Sequence, residues 1–332
     1  MVTYFPILKW KTGEQRALKE LHVKCPFIPV IQITDAQEPS DFFSGLHTVY
    51  EGPIYFDTVL CGDDDLCILK NYTQFAHDNN IVAWPLVYIN DLSAEIDEIL
   101  AISKRAAISI EIPESFDGPT NKSIIDHVIS LHKEFDLFCD SGEVIDRTKA
   151  NLIYASYKEL LNNNAESIKN FKNIVICLTS FPEQLTVESG GVVRYNRFDF
   201  KMFMLLYNEF KESFPKLSYS DYGVTKFTDP DLDFRKIKYI LPKVKYTTDK
   251  EYIVHKGAKN RMQSGFSRSY IDISKEIFHS AYYMGKDFSF GDSNIYEKAC
   301  SSGAKPGNAT NWVSYCANHH LTVVMEQLST LP

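Results

Sequence analysis

No run of the 332-residue chain approaches the ~20 consecutive apolar residues that a membrane span requires. The opening MVTYFPILKWKTGE lacks a basic segment followed by an apolar one, so it does not read as a secretory signal. Together these absences set the expectation of a cytoplasmic protein with no membrane partner. CxxC spacing is also missing. Cys25, Cys61, Cys67, Cys139, Cys177, Cys300 and Cys316 are scattered, several within apolar runs, which predicts reduced core thiols rather than a zinc site or a disulfide framework. Positive charge is in deficit, at a net −8, and this argues against general affinity for duplex nucleic acid. The glycine-rich pieces ESGGVVR and SFGDSN lack phosphate-loop or dinucleotide spacing, and no serine stands in GxSxG. Nucleotide-loop and nucleophile-elbow chemistries are accordingly disfavoured.

What the chain does have is alternation. Short runs rich in β-branched and aromatic residues, each followed by turn chemistry and an apolar pattern of helical period, predict strands at Tyr4 to Trp10, Phe27 to Ile33, Pro53 to Val59, Ile81 to Tyr88, Ala107 to Ile112, Asp136 to Asp140, Ile174 to Ser180 and Leu217 to Asp221. Helices are predicted at about 13–24, 63–78, 92–104, 119–134, 145–169 and 197–212, with one short helix in 35–52. Asp63 to Asp65 and Pro119 supply helix-start signals, and Pro215 blocks continuation of the helix before the eighth strand. Eight strands alternating with helices predict a parallel sheet closed as an α/β, (β/α)8 TIM-barrel-like fold. The length exceeds the ~250 residues typical of such a barrel by enough for one further layer.

Beyond residue 230 the texture changes. KIKYILPKVKY and EYIVHKG read as an antiparallel hairpin, followed by helices at about 269–284 and 309–328 joined by a glycine-rich connector. The whole chain, 1–332, is expected to be one barrel domain, with eight units in 1–230 and the hairpin and helices of 231–332 packed on it. Residues 235–268 concentrate Lys and Arg, whereas the first 150 residues are acidic, so a local basic groove is the one place to expect phosphate or nucleic-acid contacts.

Barrel enzymes place reactive groups where strands end, because the loops there converge on one mouth. Strand ends here carry Lys9 and Lys11, Asp57, Glu111, Asp140, and Asp221 with Tyr222. In the fifth strand Glu111 shares a face with Ala107 and Ser109 while the isoleucines take the other, so Glu111 should point into the lumen. Such a cluster could bind a divalent ion, polarise a phosphate, or neutralise itself as an ion network. Lys9, Lys11, Glu111, Asp221, His319 and His320 are the candidate catalytic groups; Asp57, Asp140, Tyr222, Arg194, Tyr246 and Arg268 the candidate ligand contacts; Asp57, Glu111 and Asp140 the candidate ligands of Mg²⁺ or Mn²⁺. Adjacent positions on a helix diverge by about 100°. Only one of His319 and His320 can therefore face the barrel, as base or metal ligand, and packing against a backbone carbonyl is the plainer alternative.

The opening PILKWKTGE, Asp57, Trp84-Pro85, SDYG at 220–223 and the C-terminal FSFGDSNI, GNATNW and NHHLTVV resemble the beta-protein family over nearly the whole chain. Lys245-Tyr246-Thr247 stands where that family often has Arg-Tyr-Thr, a change that keeps the charge and loses the bidentate fork. The family is named after a gene in a killing-and-immunity cassette of a satellite coliphage, with relatives in bacterial genomes and mobile elements. The resemblance implies an antiviral-defence or toxin-control setting and no particular reaction. Two functional expectations follow: a component that binds a ligand, or a neighbouring-gene effector or toxin, at the charged mouth; alternatively a hydrolase, a metal-dependent phosphodiesterase or nuclease using the strand-end carboxylates and lysines.

Overall fold

The computed structural model describes residues 1–88, 94–113, 118–131, 133–225, 240–260 and 265–331, the side chains of 118–121 and 124 excepted. Eight parallel strands form one sheet in the order β1 (Ile7–Lys9), β2 (Val30–Gln32), β3 (Ile54–Asp57), β4 (Ala83–Tyr88), β5 (Arg105–Glu111), β6 (Glu134–Glu143), β7 (Ile174–Thr179) and β9 (Leu217–Ser220). The first and last strands meet through Tyr4, which bridges both Phe27 and Tyr219. Phe5 N donates to Tyr219 O and Ile7 N to Asp221 O, each at 2.8 Å. The sheet is thereby drawn round into a TIM-barrel-like wall. The strands are short and rich in Val, Ile and aromatics because each is covered on both sides, by helices outside and by lumen side chains within.

The expected strand–helix alternation is present. Its helices are α1 (Thr12–Lys19), α2 (Pro39–His47), α3 (Asp65–Asp78), α4 (Ala94–Ile102), α5 (Gly118–Ser130), α6 (Arg147–Asn163), α7 (Ala165–Ile168) and α8 (Phe198–Phe210). The single helix expected over 145–169 is interrupted at Asn164, whose side chain returns to Leu160 O instead of facing solvent. The start of the helix expected at 92–104 and the first residues of KIKYILPKVKY lie outside the described residues.

Lumen and outer wall have separate apolar clusters. Phe5, Ile7, Val30, Tyr55, Leu86, Ala107, Phe138 and Val175 fill the lumen, and Tyr4, Leu8, Ile31, Phe56, Ile108 and Tyr219 pack outward with the helices. The period of two along each strand sorts them. At the amino-terminal ends of the strands, Arg105 Nε donates to Asp136 Oδ2 at 2.9 Å, Asn173 Nδ2 donates to Asp136 Oδ1 at 2.6 Å, and Tyr55 OH also donates to Asp136. The Arg105 guanidinium lies 4.5 Å over the Trp84 ring. These groups close the barrel floor.

A second, antiparallel sheet runs β10 (Lys243–Thr247), β11 (Glu251–Lys256), β8 (Val192–Asn196). The sequence anticipated the β10–β11 hairpin but not β8, an insertion between β7 and α8 whose partner lies some sixty residues further on. The short strands β12 (Ala258–Lys259) and β13 (Phe266–Arg268) pair with each other, and α9 (Tyr270–Phe278) follows. The expected connector holds a further helix, α10 (Phe290–Cys300), started by Ser289, whose Oγ accepts from Asp292 N. The last helix, α11 (Ala309–Ser329), is buried along most of its length between α1, α10 and β10. A Cβ on Gly13 of α1 would stand 2.7 Å from Val313 Cγ1, so glycine there lets the first and last helices approach closely.

Candidate functional site

At the carboxyl ends of the strands, register sets Lys9, Gln32 and Asp57 in one row, and Glu111, Asp140, Cys177 and Ser220 in another. Asp57 is buried. Its Oδ2 accepts from Gln32 Nε2 at 2.9 Å and from Tyr88 OH at 2.8 Å, and its Oδ1 accepts from Val59 N at 2.8 Å. Burial outweighs these donors and pushes its carboxyl up to about 6. Asp140 accepts from Tyr222 OH, and from Gly142 N at 2.8 Å, and burial likewise raises it. Tyr88 is held well above the usual phenol range by burial and then by the charges of Asp57 and Asp140, so its hydroxyl stays a donor. Glu111 ends its strand exposed.

Glu14, in the first turn of α1, is buried beside this row. Burial pushes its carboxyl up to about 7, against the pull of Lys9, Lys245 and Lys11 and a bond from the Lys9 backbone. Lys9 is buried, Lys11 exposed, and Lys245 donates to Val224 O from above the Phe181 ring. The mouth therefore has a lysine-rich side, built by β1, α1 and β10, and a carboxylate-rich side built by β3, β5 and β6. Carboxyls poised near neutrality in such a place can accept or donate a proton or hydrogen-bond a ligand.

A second polar centre lies outside the wall. Because Asp221 shares parity with Tyr219, it points outward while Tyr222 points into the lumen. Its Oδ1 accepts from Tyr4 OH at 2.8 Å and from Gly223 N at 3.0 Å, and its Oδ2 lies 3.1 Å from His320 Nε2. Burial alone would raise this carboxyl, but His320 and the other donors hold it below its ordinary value. His320 Nδ1 is 3.1 Å from Thr247 Oγ1. One residue back, His319 places Nδ1 2.7 Å from Asp292 Oδ2 and Nε2 2.7 Å from Thr247 O, with its ring stacked on Tyr246. Asp292 Oδ1 accepts from Tyr246 OH at 2.7 Å. Asn318 completes the run by donating to Ala17 O and Glu20 O at the end of α1. Consecutive residues of NHH thus tie α11 to α1, α10 and the barrel wall in turn.

Against expectation, Asp221, His319 and His320 are not at the mouth with Lys9 and Glu111; strand parity and helix phase direct them to the outer face. Tyr246 is buried against Asp292. Arg194 is exposed and paired with Glu251 Oε2 at 2.7 Å, and Arg268 is spent on Glu276 and the Gly191 and Lys256 carbonyls. Asp57, Glu111 and Asp140 do not form the expected metal trio. Among the described residues no three His, Cys, Asp or Glu side chains are grouped to hold an ion. The sequence reading missed Glu14, Gln32, Tyr88 and Cys177 at the mouth. Lumen parity alone would have found Gln32 and Tyr88, since they follow Val30 and Leu86 by two.

Parallel eight-stranded wall, filled lumen and polar carboxyl-end mouth define a TIM-barrel-like α/β protein. The Beta protein family model matches residues 4–326, and the chain belongs to that family. No curated protein and no solved structure matches it. The motifs behind the resemblance meet in space: SDYG, KYT, FSFGD and NHH supply the outer network, and PILKWKTGE supplies Lys9, Lys11, Gly13 and Glu14. No helix among the described residues is long and apolar enough to cross a membrane.

Proposed function

We propose that the carboxyl-end mouth binds a small polar ligand, and that the protein uses this binding to sense or restrain a toxic effector encoded beside it. The setting is a phage-borne or mobile-element defence cassette in the cytoplasm. The observation that carries the reading is the convergence of ionisable side chains from β1, α1, β3 and β6 on one mouth, where burial moves Glu14 and Asp57 toward neutrality. A phosphate-containing ligand suits the lysine side.

Co-purification with the neighbouring gene product, together with loss of protection in Lys9→Ala and Asp57→Ala, is the expected result. Retention of both binding and protection in these variants would sink the assignment of the mouth.

A further inference from the structure

At the mouth, Gln32 Nε2 donates to Asp57 Oδ2, whereas its Oε1 is buried with no hydrogen-bond partner among the described residues. Turning the amide round would set two oxygens against each other, so the orientation is fixed by Asp57. A buried carbonyl oxygen left unpaired is costly, and a donor from a bound molecule removes that cost. Register places Lys9 on one side of Gln32 and Asp57 on the other. Beyond Lys9 stand Lys11 and Lys245, the cations that share Glu14 with it. A cationic side and an unmet acceptor are therefore neighbours, one strand apart.

We infer that the mouth takes a small hydroxylated anion, a class that includes sugar phosphates and hydroxy acids, with its charge toward Lys9 and its adjacent hydroxyl donating to Gln32 Oε1. The assignment rests on the ligand-binding reading of the mouth and deepens it by naming the ligand class. Tyr88, half-buried and bonded to the same Asp57 oxygen as Gln32, stands beside this acceptor. Gln32 is then the residue that distinguishes a hydroxylated anion from a bare one, because only the former satisfies it.

The test is calorimetry on the full chain with two matched pairs of probes: glycerol 3-phosphate against propyl phosphate, and lactate against propionate. In at least one pair the hydroxylated member should bind at least tenfold tighter, and the pair that shows it identifies phosphate or carboxylate as the anionic group. Gln32→Met, close in shape, should erase that preference while leaving the deoxy probe within twofold; Lys9→Met should weaken both members. Equal binding within both pairs, a preference that survives Gln32→Met, or no binding of any probe would overturn the inference. If no probe binds yet Lys9→Met abolishes protection, this ligand class fails and the ligand-binding reading stands. If protection is intact in Lys9→Met and Asp57→Asn, the reading beneath fails too.

Discussion

Asp292→Asn removes one charge from a buried pair in the outer network. Both ring nitrogens of His319 face oxygen acceptors, the Asp292 carboxylate and the Thr247 carbonyl. Asp292 also accepts from Tyr246 OH, and from Ser289 Oγ at 2.5 Å. An amide in its place offers one acceptor oxygen where two served three partners, and removes the carboxylate charge from beside His319. Removing one partner of a buried pair costs about 3–5 kcal/mol, and His319→Leu should cost a similar amount. The double variant removes the charge with its partner, so its cost should fall short of the sum of the singles by about 2 kcal/mol. Urea unfolding with a common m-value reads this directly. Burial alone would raise the Asp292 carboxyl, but His319 and the hydroxyls hold it below its ordinary value. Its contribution is therefore present above that range, and the difference between wild type and Asp292→Asn should shrink as pH falls below about 4. Singles that add to within about 0.5 kcal/mol would refute the pairing.

Glu14, raised to about 7, keeps its proton longer in the folded state than in the unfolded one, so stability falls as pH climbs from the ordinary carboxyl range through about 7. Glu14→Gln should be the more stable protein at pH 8, by up to about 3 kcal/mol, and little different at pH 5, as thermal melts at the two pH values would show. A Cβ on Gly291 would stand 2.2 Å from Tyr315 O, so Gly291→Ala should cost about 3 kcal/mol in the same unfolding assay by pushing α10 off α11. Arg105→Met strands Asp136 in the barrel floor and should cost about 3–5 kcal/mol without changing affinity for a mouth ligand. An affinity change in that variant would mean the floor and the mouth are coupled.

The barrel was legible because its signals are local: period-two runs, helix-start carboxylates, and Pro215 before the last strand. The strand β8 was not, since VVRYN between glycines and a helix gains its identity from β11, a partner remote in sequence. Helix α10 hid in a glycine-rich stretch because Gly291, unfavourable for a helix in isolation, is there for close packing on α11. At the site, Lys9, Asp57, Asp140 and Tyr222 could be placed from strand ends alone. Asp221 could not, because a single step past the end of β9 decides lumen or outer wall. Uncharged residues such as Gln32 were legible through lumen parity alone, and only register sets Gln32 beside Lys9.

The seam at Tyr4 also has a consequence in time. Tyr4 bonds to Asp221, 217 positions on, and Asn318 caps the end of α1 at Ala17, 301 positions before it. During synthesis at about 5–20 residues per second, β1 must wait about 10–40 s for the strand that completes its hydrogen bonding. Over that interval Ile7 to Lys9 form the open edge of a growing sheet, available to the same strand of a neighbouring nascent chain. Lys9, buried in the finished mouth, is a charge on that edge while it is still unpaired, and a lysine there discourages such pairing.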